Sequence, residues 1–524
     1  LKVSARTSAF FYKGKQVPLK QVAQELGVAY VVEGSVRKSG DRVRITAQLI
    51  KADDSFHLWS DTFDRELKDI FAVQDEIAGL IAKNLSLKLG LAPAPSAGAA
   101  APTQNLAAYD LYLRGRAAQT GGGGGVSRRE AARLYEEALR LDPGYALASA
   151  RLAQVIHVSR VNGYDRSEQS AARARTAALT AVRLAPNLPE AHLALALVRQ
   201  SIDYDPVAAQ RELAEAERLR PNDPEAPAVR LELEFARGHW GDALVALAHR
   251  AAELDPRNAV TLFRVAVNLR AIGRFAEADR RFEQGWALSQ ESPNPFRARA
   301  SNTLAWTGDL TGALAMLETI PEKLRDNTVY RDRAGLHAMV GRFPAATADY
   351  EQVRTFVASG RATTSGARID QILATFRIGE LEARLGRGAR AAELYTEALA
   401  ASQQYAQDFP DLPEGPQRRA IIHALRGETS EARAAMAEAT QGAARTHDAS
   451  VIADVRRANA EMLGLLGEPA AAIAELRAVH EQGYGFGYLL RLQLEWEPLR
   501  SHPKFQQLMK EAEARADAQP RPKK

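Results

Sequence analysis

One pattern constrains this chain more than any other: four coordinated positions recur along most of its length. Alanines stand at 131, 174, 209, 243, 278, 313, 346, 391, 432 and 472, and from Ala174 to Ala346 they lie 33 to 35 residues apart. Alanine is common here, so the companions decide. Gly238, Gly273, Gly308, Gly341, Gly386, Gly427 and Gly467 each lie five residues before the matching alanine. Four residues after it comes a large apolar side chain: Tyr135, Leu213, Leu247, Phe282, Leu317, Tyr350, Tyr395, Met436 or Leu476. Pro143, Pro186, Pro221 and Pro256 close their units in LDP, LAP, LRP and LDP. Each position has a physical reason. Glycine lets the chain turn sharply between two helices. Alanine fits where helix axes cross about 8–10 Å apart. The large residue fills the space to the next unit, and proline stops the second helix. A chain of 524 residues is too long for one ordinary core, and a mainly α solenoid of about ten helix pairs resolves that.

With a period near 34, these positions resemble the tetratricopeptide repeat. The resemblance covers roughly Gln104 to Gly483 and implies a scaffold that binds other proteins and performs no chemistry. After Ala346 the intervals lengthen to 45, 41 and 40 residues, which predicts longer helices or loops there. Gly121–Gly125 is not followed by the Lys-Ser or Lys-Thr of a phosphate loop; it reads as a flexible insertion, with Ser127 and Glu130 as a capping box opening the next helix. A terminal repeat must shield its open face, and Trp496, Leu499, Phe505 and Leu508 are placed to do so. The array with its cap is therefore expected over 104–510, followed by a polar tail at 511–524.

The first ninety residues follow other periods. Leu19, Val22, Ala23 and Leu26 predict a helix over Pro18–Leu26, ended by Gly27. Val43, Ile45, Ala47 and Leu49 alternate with polar residues, as in a half-buried strand. Tyr30–Arg37 precedes it, joined through Ser39, Gly40 and Asp41, and a third strand fits Phe56–Phe63. A helix follows over about Leu67–Leu89, and Leu1–Arg6 reads as a strand already under way. The stretches LKVSARTSAFFYKGK, ELGVAYVVEGSVRKSGDRVRITAQLI and HLWSDTFDRELKDIFAVQDEIA resemble the later part of the bacterial TolB-amino-terminal or FlgO-like domain. That resemblance implies a small α/β domain over 1–90 that lacks its first strand and helix, hence a fragment of a longer protein. Leu91–Thr103, LAPAPSAGAAAPT, reads as a linker.

Several classes of function are excluded or unsupported. There is no cysteine, which removes disulfides, thiolate zinc sites, iron–sulfur clusters and a cysteine nucleophile. None of the ten histidines (57, 157, 192, 239, 249, 337, 423, 447, 480, 502) forms an i, i+4 pair. Asp53, Asp54, Asp61, Asp64 and Glu66 with His57 read as turn formers and solvated strand residues. No nucleotide or hydrolase motif is present, so no catalytic residue, cofactor or metal is expected. The net charge of +5 is spread among interleaved signs, and the one basic cluster is Arg521, Lys523 and Lys524; no nucleic acid is expected as a partner. No run approaches the roughly 18 apolar residues of a membrane span.

What remains is the concave side of the array, where a groove can take a protein or peptide partner. Counting back from the glycines, Glu232, Phe235, Arg270, Asn302 and Arg331 should point toward it. A homo-oligomer is compatible with the same surface. The family resemblance implies the regulatory half of a bacterial signalling protein whose effector is a nucleotidyl cyclase, a winged-helix DNA-binding domain or a kinase. It leaves open the cytoplasm or the periplasmic part of a membrane-anchored protein. The alternative is a freestanding scaffold or envelope-assembly protein with no effector.

Overall fold

The computed structural model describes residues 4–66, 70–89, 103–120, 124–288, 292–360 and 364–521. Among these the chain is mainly helical: ten antiparallel helix pairs follow a small three-stranded sheet. The pairs are Leu106–Thr120 with Gly124–Leu141, Ala146–Val161 with Glu168–Leu184, Pro189–Ser201 with Pro206–Leu219, Ala226–Ala236 with Asp242–Leu254, Ala259–Ala271 with Phe275–Leu288, Asn294–Thr307 with Leu310–Glu318, Asn327–Met339 with Phe343–Ala358, Ser365–Arg384 with Gly388–Asp408, Glu414–Leu425 with Thr429–Thr446, and Ala449–Leu465 with Pro469–Glu481.

The repeat positions do what their chemistry requires. All seven glycines of the register, from Gly238 to Gly467, take the left-handed conformation between the two helices of a pair. Nine of the ten alanines are buried, and so are eight of the nine large apolar residues that follow them. The fourth pair departs. Ala243 is exposed, because its helix begins at Asp242, four residues after Gly238, where the helix after Gly273 begins at Phe275, two residues on. The two added residues hold the buried Trp240, and Leu244 and Ala248 are the residues that pack inward. The lengthened intervals correspond to longer helices, 20 and 21 residues in the eighth pair against 13 and 14 in the fifth.

Local caps differ from expectation in one place. The helix expected to open at Ser127 begins at Gly124, so Ser127 lies inside it and not at its start; Glu130 pairs with Arg133. Gly121–Gly123, the remainder of that run, lies outside the described residues. Elsewhere Ser167, Asp205, Asn258, Asp309, Asp326, Thr364 and Asp448 accept backbone N–H groups at their helix starts.

At the far end, Trp496, Leu499, Phe505 and Leu508 are buried as the cap. The tail expected from 511 is not simply polar: the helix Pro503–Asp517 runs through it and buries Ala512 and Ala516. Beyond it, Gln519 Nε2 donates to the Gly273 carbonyl (2.6 Å) and Arg521 to that of Trp306 (3.2 Å). Lys523 and Lys524 lie outside the described residues.

The sheet is antiparallel in the order β1 (Tyr30–Ser39), β2 (Arg42–Lys51), β3 (His57–Glu66). Val43, Ile45, Ala47 and Leu49 of β2 are buried in alternation, and Ile45, Ala47 and Phe63 meet Val73 of the helix Ile70–Leu89. Gly27 ends the helix Leu19–Leu26 in the left-handed conformation. The acidic residues stay local: Asp54 accepts the Phe56 N–H, and Asp64 pairs with Arg44. Of the strand expected at Leu1–Arg6, residues 1–3 lie outside the described residues, and Arg6 opens the helix Arg6–Phe10 instead. This segment docks on the turn closing the fourth pair. Ala5 donates to the Leu254 carbonyl (2.9 Å), Ser8 donates to Asp255 (2.8 Å), and Arg257 pairs with Glu25. Residues 91–102 of the expected linker are outside the description.

The array winds until its ends meet. Gly163, after the first helix of the second pair, accepts from Gly366 N–H (2.8 Å) and Ser365 Oγ (3.1 Å) of the eighth. Arg166 pairs with Glu414 of the ninth. The chain leaving the tenth pair then crosses the fifth and sixth: Gly485 N–H donates to Ala271 (2.7 Å) and Tyr488 N–H to Ala305 (2.8 Å). A Cβ on Gly485 would sit 2.2 Å from the Gly273 Cα, so only glycine permits that crossing.

Candidate functional site

The first helices of the pairs face inward, and winding turns the expected open groove into a lumen. Its wall is polar. Ion pairs on it tie the first helix of one pair to that of the next or the next but one: Arg151 of the second pair holds Glu225 at the start of the fourth with two bonds (2.6 and 2.8 Å), Glu232 of the fourth meets both His157 of the second (2.6 Å) and Arg264 of the fifth (3.1 Å), Arg331 of the seventh bridges its neighbour Asp332 (2.7 Å) and Asp370 of the eighth (2.6 Å), and Arg377 of the eighth meets Glu380 on its own helix (2.7 Å) and Glu461 of the tenth (2.8 Å). Such pairs offset the cost of removing charge from water only when both partners are present. Burial alone would raise the carboxyl of Glu232, but Arg264 and His157 outweigh it and hold it down to about 2. For Arg331 burial works against the charge, and Asp332 and Asp370 more than restore it.

The five residues expected in the groove are therefore placed as follows. Glu232 faces the lumen but is held by His157 and Arg264. Arg331 also lines the interior, held by its two carboxylates. Arg270 donates to Ser301 Oγ (2.8 Å), and burial lowers its pKa. Phe235 is not a groove residue: its ring stacks on Trp240 (5.4 Å) at the turn of the fourth pair, and its carbonyl accepts the Trp240 indole N–H (2.8 Å). Asn302 has no surface at all. It is 0% exposed and donates to the Phe275 carbonyl (3.1 Å), tying the sixth pair to the fifth. For Glu232, Arg331, Arg270 and Asn302 the reason is shared: an inward residue on a closing coil meets another helix before it meets a partner.

A cavity of ≈ 590 Å³ occupies the lumen where the two ends of the coil meet. Its wall combines first helices from the second and third pairs with those of the eighth to tenth, plus Trp496 of the cap. Arg377, Arg418 and Glu461 lie on it, and the glycine register could have found them. Arg377 and Arg418 stand nine residues before Gly386 and Gly427, and Glu461 six before Gly467, the same offset that selects Glu232 and Asn302. Nothing in the sequence pointed to the facing residues Gln200 and Arg166, because the second and third pairs lack the glycine. A second cavity, of ≈ 360 Å³, continues through the first five pairs between Arg116, Arg151 and Arg264. Among the described residues no helix is long and apolar enough to cross a membrane, and no three His, Asp or Glu side chains converge as a metal-ligand set.

No family model matches the chain. It is 38% identical over 199 residues to putative adenylate cyclase 3 of Rhizobium meliloti (strain 1021), a match that covers 37% of this chain and 33% of that relative. The chain thus spans about a third of the length of the curated relative it matches. Among solved structures it is similar to the human IFIT1 dimer with PPP-AAAA and to the same dimer with m7Gppp-AAAA. Each has a TM-score of 0.39 and 14% identity over 70% of this chain, covering 78% and 76% of the other chain. Those likenesses are too distant to transfer any binding property.

Proposed function

We propose that this chain is a non-catalytic regulatory and protein-interaction module belonging to a larger signalling protein of the nucleotidyl cyclase kind. The observation that carries the reading is the 38% identity with part of a putative adenylate cyclase. The helix-pair architecture agrees with it, since stacked pairs expose long surfaces for a protein or peptide partner. On this reading the N-terminal residues belong to the TolB-like class that their sequence resembles. A partner that entered the lumen would have to displace the pairs at Arg331 and Glu232, so its docking is coupled to the opening of the coil.

The test compares the isolated chain with the whole gene product. The isolated chain forms no cyclic nucleotide from ATP or GTP. The whole product does, and removal of residues 104–524 changes that rate at equal expression. Turnover by the isolated chain, or a rate unaffected by the deletion, overturns the proposal.

A further inference from the structure

The cavity where the two ends of the coil meet carries five arginines and five carboxylates, Glu414, Asp448, Asp454, Glu461 and Glu495, on its wall, yet one guanidinium has no direct partner among the described residues. Of the five arginines on its wall, four are engaged. Arg160 donates to Ser167 O (2.6 Å) and Ser170 Oγ (2.8 Å), Arg166 pairs with Glu414, Arg377 with Glu380 and Glu461, and Arg457 with Asp454 (3.3 Å) and the Tyr484 hydroxyl (3.0 Å). Arg418 is the fifth. Among the described residues it makes no hydrogen bond and no ion pair, and its Nε is sealed from solvent without a partner. The two wall carboxylates whose charge favours its charged form, Glu461 and Glu414, are already held by Arg377 and Arg166.

Burial disfavours the charge on Arg418, yet a guanidinium cannot shed its proton in a protein. Its guanidinium therefore keeps donors that no side chain among the described residues takes. A second wall residue tells the same story from the other end of the array. Gln200, of the third pair, is 5% exposed, and both its amide nitrogen and its amide oxygen are buried without a partner. Two unsatisfied groups on opposite walls of one cavity define a site with a donor fork on one side and a donor–acceptor pair on the other.

We propose that this cavity binds a small organic anion, with the planar fork of Arg418 clamping its carboxylate or phosphoryl oxygens and Gln200 bonding its polar remainder. The volume of ≈ 590 Å³ lies within the range of small-molecule sites. The guanidinium fork matches both kinds of oxyanion. Tyr204 and Trp496 supply apolar faces on the same wall. Because Gln200 and Arg418 come from opposite ends of the array, a bound anion fastens the coil closed alongside the Gly163–Gly366 contact and the Arg166–Glu414 pair. The inference stands on the cavity alone and does not depend on the regulatory reading.

The experiment is thermal unfolding of the full chain with inorganic phosphate, with succinate, and with sodium chloride at matched ionic strength. Phosphate or succinate raises the midpoint by a few degrees in a saturable way, sodium chloride does not, and the probe that acts tells phosphoryl from carboxylate. Arg418→Met abolishes the response while leaving the ligand-free midpoint equal or higher, since a buried unpaired charge is gone. Arg418→Lys retains the charge but not the fork and weakens binding about 10-fold. Hydrogen exchange at Gly163 and Gly366 slows with the active anion. The proposal is overturned if neither probe shifts the midpoint beyond the chloride control, or if Arg418→Met responds as the parent does.

Discussion

The sheet and the helical array solve the same burial problem in different ways. The sheet has one covered face: Ile45, Ala47 and Phe63 pack on Val73, and β1 is left almost wholly exposed, with Val36 at 66%. In the array every helix pair lends its apolar faces to the pairs before and after it. One cluster joins Leu231 to Phe282 of the fourth and fifth pairs with Phe376 of the eighth and Trp496 and Ala512 of the cap, and separate clusters serve the other pairs. Polar groups follow the same division. The ion pair of the sheet between Arg44 and Asp64 is solvent-exposed, whereas luminal pairs such as Arg151–Glu225 and Arg331–Asp370 join separate helices and each has one largely buried partner. A repeat array can bury charge because later pairs bring partners for earlier ones, and a lone three-stranded sheet has no such neighbour.

Acid should break the comparison most severely. The carboxyl of Glu232 lies near 2 in the folded state and 4.5 without its partners. A depressed folded value contributes stability above pH 4.5 that disappears as pH falls toward 2. Asp332 and Glu225 are shifted downward in the same sense. Hydrogen exchange resolved along the chain should therefore show the array opening between pH 4.5 and 2 while the sheet holds its protection. Parallel loss in both regions would mean that the luminal pairs contribute nothing special.

Next in size is the loss of a stacking side chain. Phe282→Ala empties a fully buried site between the fifth pair and its neighbours and should cost about 3–5 kcal/mol in chemical denaturation followed at 222 nm. A midpoint within error of the parent would refute the idea that contacts between pairs carry stability.

Charge reversal of Arg331 is smaller. It places a carboxylate beside Asp332 and Asp370 and should cost about 1–3 kcal/mol. Exchange of a peptide-binding surface residue would leave stability unchanged, so the midpoint distinguishes an internal strut from a docking contact.

The alanine register gives an internal control of similar size. Ala278→Leu overpacks a helix crossing at about 1–3 kcal/mol, while Ala243→Leu, exposed in the shifted fourth pair, should stay within about 0.5 kcal/mol. Equal effects would mean that the shift of register has been misplaced. Smallest of all, Val36→Thr on the open side of the sheet should change stability by no more than about 0.5 kcal/mol, measured by the same denaturation.

How far the molecule could be read from its residues follows from the range of each interaction. The pairs were legible because their requirements are local and recur. A left-handed turn needs Gly238 or Gly273, a close crossing needs Ala278, and a gap between neighbours needs Phe282. None of these depends on what happens far along the chain. The candidate groove was legible only as a direction. The glycine offset pointed Glu232 and Arg331 toward the inner side, but it could not reveal His157 waiting 75 positions earlier or Asp370 standing 39 positions later.

By itself, then, the sequence determined an array of helix pairs behind a small sheet, since periodic apolar and small residues dictate that much wherever the chain is cut. Only the tertiary structure decided that the array closes. Closure sums small rotations from the second pair to the eighth until Gly163 meets Ser365, 202 positions away, and brings Gln519 back to Gly273 of the fifth, 246 positions away. Rotations of that size are set by side-chain volumes at every crossing at once and leave no local signature. They alone convert inward charges such as Arg331 into internal struts and leave Arg418 facing a cavity unpaired.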